Sequence, residues 1–423
     1  MSKDKLIPEL RFPDFEKDGE WDDKVLGEIC DVRDGTHDSP KYVSEGYPLI
    51  TSKNLLENGE MDFDNVNYLS KDDYDKINER SKVDINDILF GMIGTIGNPV
   101  IVKRDGFAIK NVALIKTKGE LNQEYLIQLM KSDYIDKQFQ KANAGGILKF
   151  IALGMIRKLN IPTPQPREQQ KIASCLSSLD ELLAAHNEKL DALKDHKKGL
   201  MQNLFPQEGE TLPKVRFPEF EGDGDWKKKE LGDLITIKGR IGYRGYTKED
   251  IVAKGEGAIS MSPSNISAQG TLSFEKSTYI TWDKYYESPE IMLENGFTVL
   301  VKTGSTFGKV AFITNLVEKA TINPQLVVLK PKDINNFFLY LIVSNNAVQT
   351  QITATVVGGA IPTLSQDSIS KFEVMIPKEK EQQKIASCLA AVDELINAQA
   401  DKIEQLQQHK KGLMQGLFPK IES

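Results

Sequence analysis

The sequence predicts an α+β protein with an internal repeat: two α+β domains are separated by two long helices that pair as a pseudo-twofold antiparallel coiled coil. The first observation is a stretch that occurs twice, Arg167 to Pro206 and Lys380 to Pro419, with about 25 identities over roughly 40 positions and no gap. The second is PELRFPDFEKDGEW (Pro8 to Trp21), which matches PKVRFPEFEGDGDW (Pro213 to Trp226). Each half therefore runs from a leading segment through a domain into a long helix.

Both copies of the longer repeat are predicted to be helices. A proline-rich start, at Pro166 and Pro377, precedes Glu and Gln in the first turn. Apolar residues then recur at alternating spacings of four and three, as in the seam of a coiled coil. The seam positions are Ile172, Leu176, Leu179, Leu183, Leu190, Leu193 and Leu200 in the first helix, and Ile385, Leu389, Val392, Ile396, Ile403, Leu406 and Leu413 in the second.

Polar residues interrupt each seam twice, at His186 and Lys197 and at Gln399 and Lys410. Such residues cost stability but restrict the register and the partner. At ~1.5 Å per residue each helix is about 57 Å long. The alternative is two unrelated surface helices, which leaves the second seam unpaired.

The predicted boundaries are 1–163 for the first domain, 164–205 for the first helix, 206–376 for the second domain and 377–423 for the second helix. Both domains mix short β-rich runs with helical patterns, at 124–141 and 336–352. Inside the domains the similarity between the halves nearly vanishes. Two halves that share their leading segments and helices but differ within their domains are expected where one scaffold carries two binding specificities.

Composition limits the possible function classes. The 423 residues are 27% charged and 40% hydrophobic, as is ordinary for a globular protein. No apolar run approaches the ~18 residues that span a bilayer, and the N-terminus lacks a signal-peptide pattern. Three cysteines fit a reducing cytoplasm. The net charge of −7 argues against nucleic-acid binding as a whole-chain average, but local clustering of Lys and Arg matters more.

Catalytic motifs are not found in the sequence. GSTFGKV (304–310) resembles a phosphate-binding loop but has the wrong glycine spacing and lacks the Ser or Thr that binds Mg²⁺, so a tight hairpin is favoured. The Asn-Pro pairs do not form an adenine-methylating motif. Histidine and cysteine never gather at metal-ligand spacing. We expect a chain that catalyses nothing alone and binds no metal or cofactor.

Basic and aromatic residues in equivalent loops favour DNA binding, because Arg reads guanine or clamps phosphate and Tyr stacks. These residues are Arg33, Thr36, His37, Lys41 and Tyr42 in the first domain and Arg240, Tyr243, Arg244, Tyr246 and Lys248 in the second. Ser52, Lys53, Asn54, Ser262, Ser264 and Asn265 follow, suited to phosphate, with either asparagine able to contact adenine. Lys103, Arg104, Lys302 and Lys309 flank glycine-rich hairpins and extend the basic face. The alternative is solvated loops whose polar residues cap turns.

The repeated RFPxF…W…LG, EQQKIA and KKGLMQ–LFP motifs, in this order over essentially the whole chain, resemble the specificity subunit of type I restriction–modification systems. The resemblance implies two target recognition domains, each reading half of a bipartite double-stranded DNA site. It implies that the coiled coil fixes the gap and docks two modification subunits, which methylate adenine with S-adenosylmethionine. Two ATP-driven, Mg²⁺-dependent restriction subunits complete the complex. The rival hypothesis is a coiled-coil scaffold joining two protein-binding modules.

Overall fold

The computed structural model describes residues 6–38, 40–119, 121–142, 150–267, 270–355 and 363–421. The chain divides into two compact units. Unit 1 is Met1–Lys189 with Gln399–Ser423, and unit 2 is Leu190–Ala398. The predicted boundaries at 163, 205 and 376 separate each long helix from the neighbouring domains along the sequence, and they stay a prediction.

Unit 1 contains two four-stranded sheets and one two-stranded sheet. Its strands are β1 (Asp22–Val25), β2 (Cys30–Asp34), β3 (Tyr42–Val43), β4 (Tyr47–Thr51), β5 (Asn67–Leu69), β6 (Ile88–Gly91), β7 (Gly97–Ile101), β8 (Ala108–Lys110), β9 (Val112–Thr117) and β10 (Asn160–Thr163). The order is β2-β9-β6-β7 in an antiparallel sheet and β3-β5-β4-β8 in a mixed sheet where β4 and β8 are parallel. β1 pairs with β10.

The helices of unit 1 lie mostly after these sheets in the chain. They are α1 (Leu26–Ile29), α2 (Lys71–Ser81), α3 (Gln123–Met130), α4 (Asp133–Ala142), α5 (Leu153–Arg157) and the long α6 (Pro166–Asn203), whose residues to Lys189 belong to this unit. The Asn122 side chain caps α3 by accepting from the N–H of Tyr125, which satisfies a helix-end donor.

The central strands of unit 1 are buried on both faces. In β9, Val112 and Leu114 pack with residues of the mixed sheet such as Ile50. The alternate residues Ala113 and Ile115 pack with the helices. A strand covered on both faces is apolar throughout, which explains the continuous hydrophobic runs in the sequence.

Unit 2 repeats this arrangement strand for strand. Its strands are β11 (Lys227–Glu230), β12 (Ile235–Gly239), β13 (Ile251–Val252), β14 (Gly257–Met261), β15 (Thr278–Thr281), β16 (Thr298–Val301), β17 (Val310–Phe312), β18 (Ala320–Ile322), β19 (Leu326–Pro331) and β20 (Glu373–Ile376). The sheet orders are β12-β19-β16-β17, β13-β15-β14-β18 and β11-β20, each strand holding the place of its counterpart in unit 1.

The helices of unit 2 follow the same plan. They are α7 (Leu231–Leu234), α8 (Trp282–Tyr286), α9 (Asn336–Ser344), α10 (Asn346–Ala354), α11 (Gln366–Ser370) and the long α12 (Glu379–Leu417), whose residues to Ala398 belong to this unit. The internal repeat inferred from the sequence is therefore present in the fold as well.

The long helices pair in antiparallel fashion inside each unit. In unit 1, the Nε2 of Gln399 lies 2.7 Å from Nδ1 of His186, and Lys410 forms an ion pair with Asp180. A later residue of α12 therefore pairs with an earlier residue of α6, which makes the two helices antiparallel. In unit 2, Lys197 pairs with Asp393 at 2.6 Å. The polar residues that interrupt the seam thus find partners.

All predicted seam positions are buried or half-buried, and residues between them are mostly exposed. The α+β fold class and the antiparallel helix pair predicted from the sequence are confirmed. Among the residues that the structure describes, no helix combines the length and the apolar character needed to cross a membrane.

Candidate nucleic-acid interface

In unit 1, four chain segments meet around Asn111, at one end of the sheets. The N–H of Asn111 donates to the carbonyl of Thr36 (3.2 Å), and its Oδ1 lies 2.9 Å from Nδ1 of His37. The Asn111 carbonyl accepts from the Ser52 hydroxyl (3.0 Å) and from the N–H of Met92 (3.4 Å). Asn111 has a φ of +56°, a left-handed conformation that Asn tolerates. The structure therefore brings the predicted positions Thr36, His37 and Ser52 together.

Unit 2 builds the same end around Asn323. Its N–H donates to the last residue of β14 (2.8 Å), and its Oδ1 accepts from the N–H of Gln325 (2.9 Å). The carbonyl of Gln325 accepts from the N–H of Lys302 (2.8 Å), where the turn between β16 and β17 begins. Each unit thus gathers its polar loops at the end where β4 and β8, or β14 and β18, finish.

Asn54 and Asn265 lie at this end as buried turn caps. Asn54 accepts from the N–H and hydroxyl of Thr51 (2.9 and 2.8 Å), and its amide donates to two loop carbonyls (3.3 and 3.0 Å). Asn265 accepts likewise from Ser262 and donates to the carbonyl of Ser273 (2.9 Å). They are 5% and 3% exposed. The suggested adenine contact is corrected, because both ends of each amide are already used inside the protein.

Arg33 is held by neighbours rather than presented to solvent as a free cation. Its Nη2 lies 2.6 Å from Oδ2 of Asp31, and its Nη1 donates to the carbonyl of Arg80 (2.9 Å). A bidentate ion pair of this kind fixes the side chain and offsets its charge. Its side chain is nevertheless 40% exposed, so Arg33 can contact a phosphate with its charge partly offset by Asp31.

His37 is the titratable group of the Asn111 end. Its Nε2 lies 2.9 Å from Oδ2 of Asp34, whose other oxygen is bound by Arg80. Hydrogen bonding to Asn111 and then to Asp34 raises the pKa of His37. The imidazole is more than half exposed, so it reaches solvent at the edge.

Arg240 is a structural residue of the second interface. Its guanidinium is buried and donates to the carbonyls of Ile322 (3.0 Å) and Arg244 (3.2 Å), and it lies 5.6 Å from the ring of Tyr246. Burial lowers the pKa of Arg240. The prediction that Arg240 reads guanine or clamps phosphate is corrected, because its guanidinium is buried and its donors tie the loop to β18.

Arg244 is half-buried, and its Nη1 donates to the carbonyl of Glu287 (3.2 Å). Tyr246 is half-buried under Arg240. The side chain of Tyr243 lies outside the described part of the structure. Arg240 and Arg244 therefore hold this loop to the neighbouring segments at Ile322 and Glu287.

Lys41 and Tyr42 lie away from the Asn111 end. Tyr42 pairs with Leu69 of β5, and Leu69 also pairs with Tyr47, the first residue of β4. The Asn111 end lies where β4 finishes. The structure therefore separates these two exposed residues from Thr36 and Ser52.

Lys103 and Arg104 are also at the opposite end. They follow β7, whose last residue Ile101 pairs with Ile88 at the start of β6, whereas the glycine-rich turn joins the other ends. The Arg104 guanidinium lies over the ring of Phe63 at 3.3 Å from its centroid. They flank the hairpin as predicted, but at the end away from the turn, so they do not extend the basic face of the Asn111 end.

Several predicted polar residues are accessible at the two interface ends. Lys53 in unit 1 and Ser264 in unit 2 are exposed in equivalent turns. Lys302 and Lys309 are half-buried where the β16–β17 turn begins and ends, and Lys309 donates to a carbonyl of the neighbouring turn (3.3 Å). Lys248 is exposed in the 3-10 helix Lys248–Asp250. The two ends therefore share a frame but differ in the position of their cations.

Sequence reasoning missed the residues at the centre of each end. Asn111 and Asn323 organise the edge through backbone geometry, and the sequence signal for that is an asparagine at a strand junction. Ile93 and Thr303 lie in the turns of the hairpins, where the sequence indicates only a glycine-rich connection. Among the described residues, no group of three or more His, Cys, Asp or Glu side chains is placed to hold a metal ion.

The chain matches the family model described as the type I restriction modification DNA specificity domain twice, over residues 18–195 and 223–408. Two relatives come from Methanocaldococcus jannaschii. The type I restriction enzyme MjaVIII specificity subunit is 22% identical over 80% of this chain and 79% of its own length. The putative type I restriction enzyme MjaX specificity subunit is 25% identical over 93% and 92%.

Solved structures share the fold. The S subunit of a type I restriction–modification system from M. genitalium aligns with a TM-score of 0.61 and 16% identity, over 99% of this chain and all of that one. A chain from work on complex assembly and conformational transition of the type I R-M system aligns with a TM-score of 0.57 and 18% identity, over 94% and 97%.

Proposed function

Because the chain belongs to the type I restriction–modification DNA specificity family, we propose that each unit reads one half of a bipartite DNA target with its Asn111 or Asn323 end. The family match includes both globular domains, so the chain is a DNA-specificity protein with two recognition domains. One observation supports the assignment of DNA recognition to the Asn111 and Asn323 ends. The same ten-strand plan occurs twice, and the side chains at equivalent loop positions differ.

Each end combines a rigid frame with cations of suitable chemistry. Lys53 in unit 1 and Lys302 and Lys309 in unit 2 suit phosphate contacts, which position a protein on the duplex. Side chains beside them then meet the base edges, which carry the sequence information. This division supports two different half-sites on one scaffold, and local lysines reconcile DNA binding with the net charge of −7.

The proposal extends to the partners. The paired helices set the gap between half-sites and dock two modification subunits, and two restriction subunits join them. S-adenosylmethionine, ATP and Mg²⁺ are held by those subunits, and the complex acts in the cytoplasm. Support comes from the relatives, which are specificity subunits by name, and from the helix seam that pairs within each unit.

The primary experiment is sequencing of methylated adenine in DNA from cells that carry this chain with its modification subunit, beside a strain that lacks this chain. The expected result is a bipartite motif that disappears in the deletion strain. Exchange of residues 20–160 for those of a relative should then change one half of the motif only. Unchanged methylation, with the modification subunit expressed, favours the protein scaffold instead.

The second experiment tests whether the Asn111 and Asn323 ends contact DNA. Lys53→Ala and Lys302→Ala are compared with Lys118→Ala and Lys332→Ala, because these exposed controls lie beyond the opposite ends of β9 and β19. Each edge variant should weaken binding to the target duplex and lower the salt slope by about one charge. The controls should bind normally. Equal losses from edge and control variants, or salt-independent binding, contradict the assignment.

A further inference from the structure

Two exposed apolar residues are paired through their backbones at the turn of the unit 1 interface. Ile93 lies in the turn between β6 and β7 and forms an isolated antiparallel bridge with Phe150. The N–H of Ile151 donates to the carbonyl of Met92 (2.8 Å), which fixes the two segments side by side. Ile93 is 42% exposed and Phe150 is 59% exposed. The pair contributes little to the core of unit 1.

Unit 2 has a polar pair at the equivalent place. Thr303, in the turn between β16 and β17, bridges to Thr363, and the N–H of Leu364 donates to the carbonyl of Lys302 (2.8 Å). The two threonine hydroxyls are 3.0 Å apart. The bridge and the hydrogen bond beside it are the same in both units, whereas the paired side chains differ in chemistry.

The apolar pair is continuous with the interface end. Met92, next to Ile93, donates its N–H to the carbonyl of Asn111. A Cβ added at Gly91 would clash with the carbonyl oxygen of Thr95 and would lie only 3.3 Å from the Cβ of Ser52. The turn is therefore tightly seated beside Ser52, and its exposed tip extends from the edge that carries Lys53.

We propose that Ile93 and Phe150 contact thymine methyl groups in the half-site of unit 1, whereas Thr303 and Thr363 read the other half-site by hydrogen bonding. This inference rests on the proposed function. The thymine methyl is the apolar group that bases display in the major groove, and apolar side chains recognise it by excluding water. Contact with a phosphate does not suit Ile and Phe, because their side chains have no hydrogen-bond donor.

The test uses the full chain assembled with its modification subunits and duplexes in which deoxyuridine replaces thymine in one half-site at a time. Deoxyuridine lacks only the methyl group. The half-site that changes on exchange of residues 20–160 identifies the one read by unit 1. There, at least one replacement should weaken binding about fourfold, the value of one buried methyl group. Replacements in the other half-site should have a smaller effect.

The double variant Ile93→Thr with Phe150→Thr copies the pair that unit 2 already holds on the same bridge. It should reduce the difference in binding between the thymine and deoxyuridine duplexes, because each threonine offers one methyl group in place of a larger apolar side chain. The control Ile85→Thr changes another exposed isoleucine (54%), located before β6 at the end away from the turn, and should keep the full difference.

Three outcomes overturn the inference. They are a first half-site indifferent to every thymine replacement, a double variant that keeps the difference, and a double variant that loses its modification subunits, which would assign the pair to a protein interface. An exchange of residues 20–160 that alters neither half-site instead contradicts the proposed function itself.

Discussion

At the residue scale, a buried ion pair explains why the same sequence motifs occur in both leading segments and at the starts of both long helices. Arg11 binds both carboxylate oxygens of Glu168 (2.8 Å each) and the carbonyl of Gly19, and Arg216 binds Glu381 in the same way (2.8 and 2.7 Å). These carboxylates are almost fully buried. The RFP and EQQ motifs therefore anchor each leading segment to the first turn of a long helix.

Removal of Glu381 should destabilise unit 2 strongly. Glu381→Ala leaves the Arg216 guanidinium buried without its partner, and loss of one member of a buried pair costs about 3–5 kcal/mol. The Trp226 indole also loses its acceptor (3.3 Å). Urea unfolding measures the change, with Asp367→Ala, which breaks an exposed pair with Lys371, as the control. A loss no larger than that of the control contradicts the anchoring role.

A second residue-scale prediction concerns pH. The pKa of His37 is raised by Asn111 and Asp34, so its protonated form stabilises the folded state. That contribution is complete below the unfolded pKa of about 6.5 and is lost as pH rises through the raised folded pKa. The stability difference between the wild type and His37→Gln should therefore be larger at pH 6 than at pH 9. Because the imidazole is half exposed, the effect is small. A difference independent of pH would contradict this role.

At the element scale, the long helices complete both cores. The end of α12 places Leu417 and Phe418 in the core of unit 1, where Phe418 lies 5.9 Å from the ring of Tyr125. The end of α6 places Phe205 in the core of unit 2, at 6.0 Å from Trp226. The repeated LFP letters are therefore core residues, and each unit needs both helices.

Phe418→Ala should destabilise unit 1, and Phe205→Ala should destabilise unit 2, each by about 3–5 kcal/mol, because truncation of a buried Phe leaves a cavity. Amide hydrogen exchange separates the units, with β6 and β9 reporting on unit 1 and β16 and β19 on unit 2. Each variant should lower protection in its own unit first. Equal loss in both units from either variant would show that the cores do not respond separately.

At the scale of the whole molecule, the sequence predicted the repeated elements but not which loop residues remain available to a ligand. The seam positions and helix starts follow from local periodicity and proline, and both are present. Lys103 and Arg104 follow the second strand of the β6–β7 hairpin, so they lie at its open end, whereas the Asn111 end lies at the turn. The sequence suggests that Asn54 presents its amide to DNA. In the fold its turn is covered by the segment that runs to Asn65, and the amide donates to the Asn65 carbonyl inside the protein.

The last prediction concerns the spacing of the two half-sites. Seven residues inserted between Lys189 and Leu190, with seven more between Ala398 and Gln399, preserve the alternation of fours and threes and keep each polar seam pair within its unit. If the paired helices set the gap, these ~10 Å of added helix should lengthen it by about 3 base pairs without changing the bases read. Sequencing of methylated adenine gives both quantities. Insertion into α6 alone is the control, because it shifts the seam on one side and should reduce stability and methylation. An unchanged gap in the paired insertion would show that the helices do not set it, and altered bases would show that the recognition ends depend on helix length.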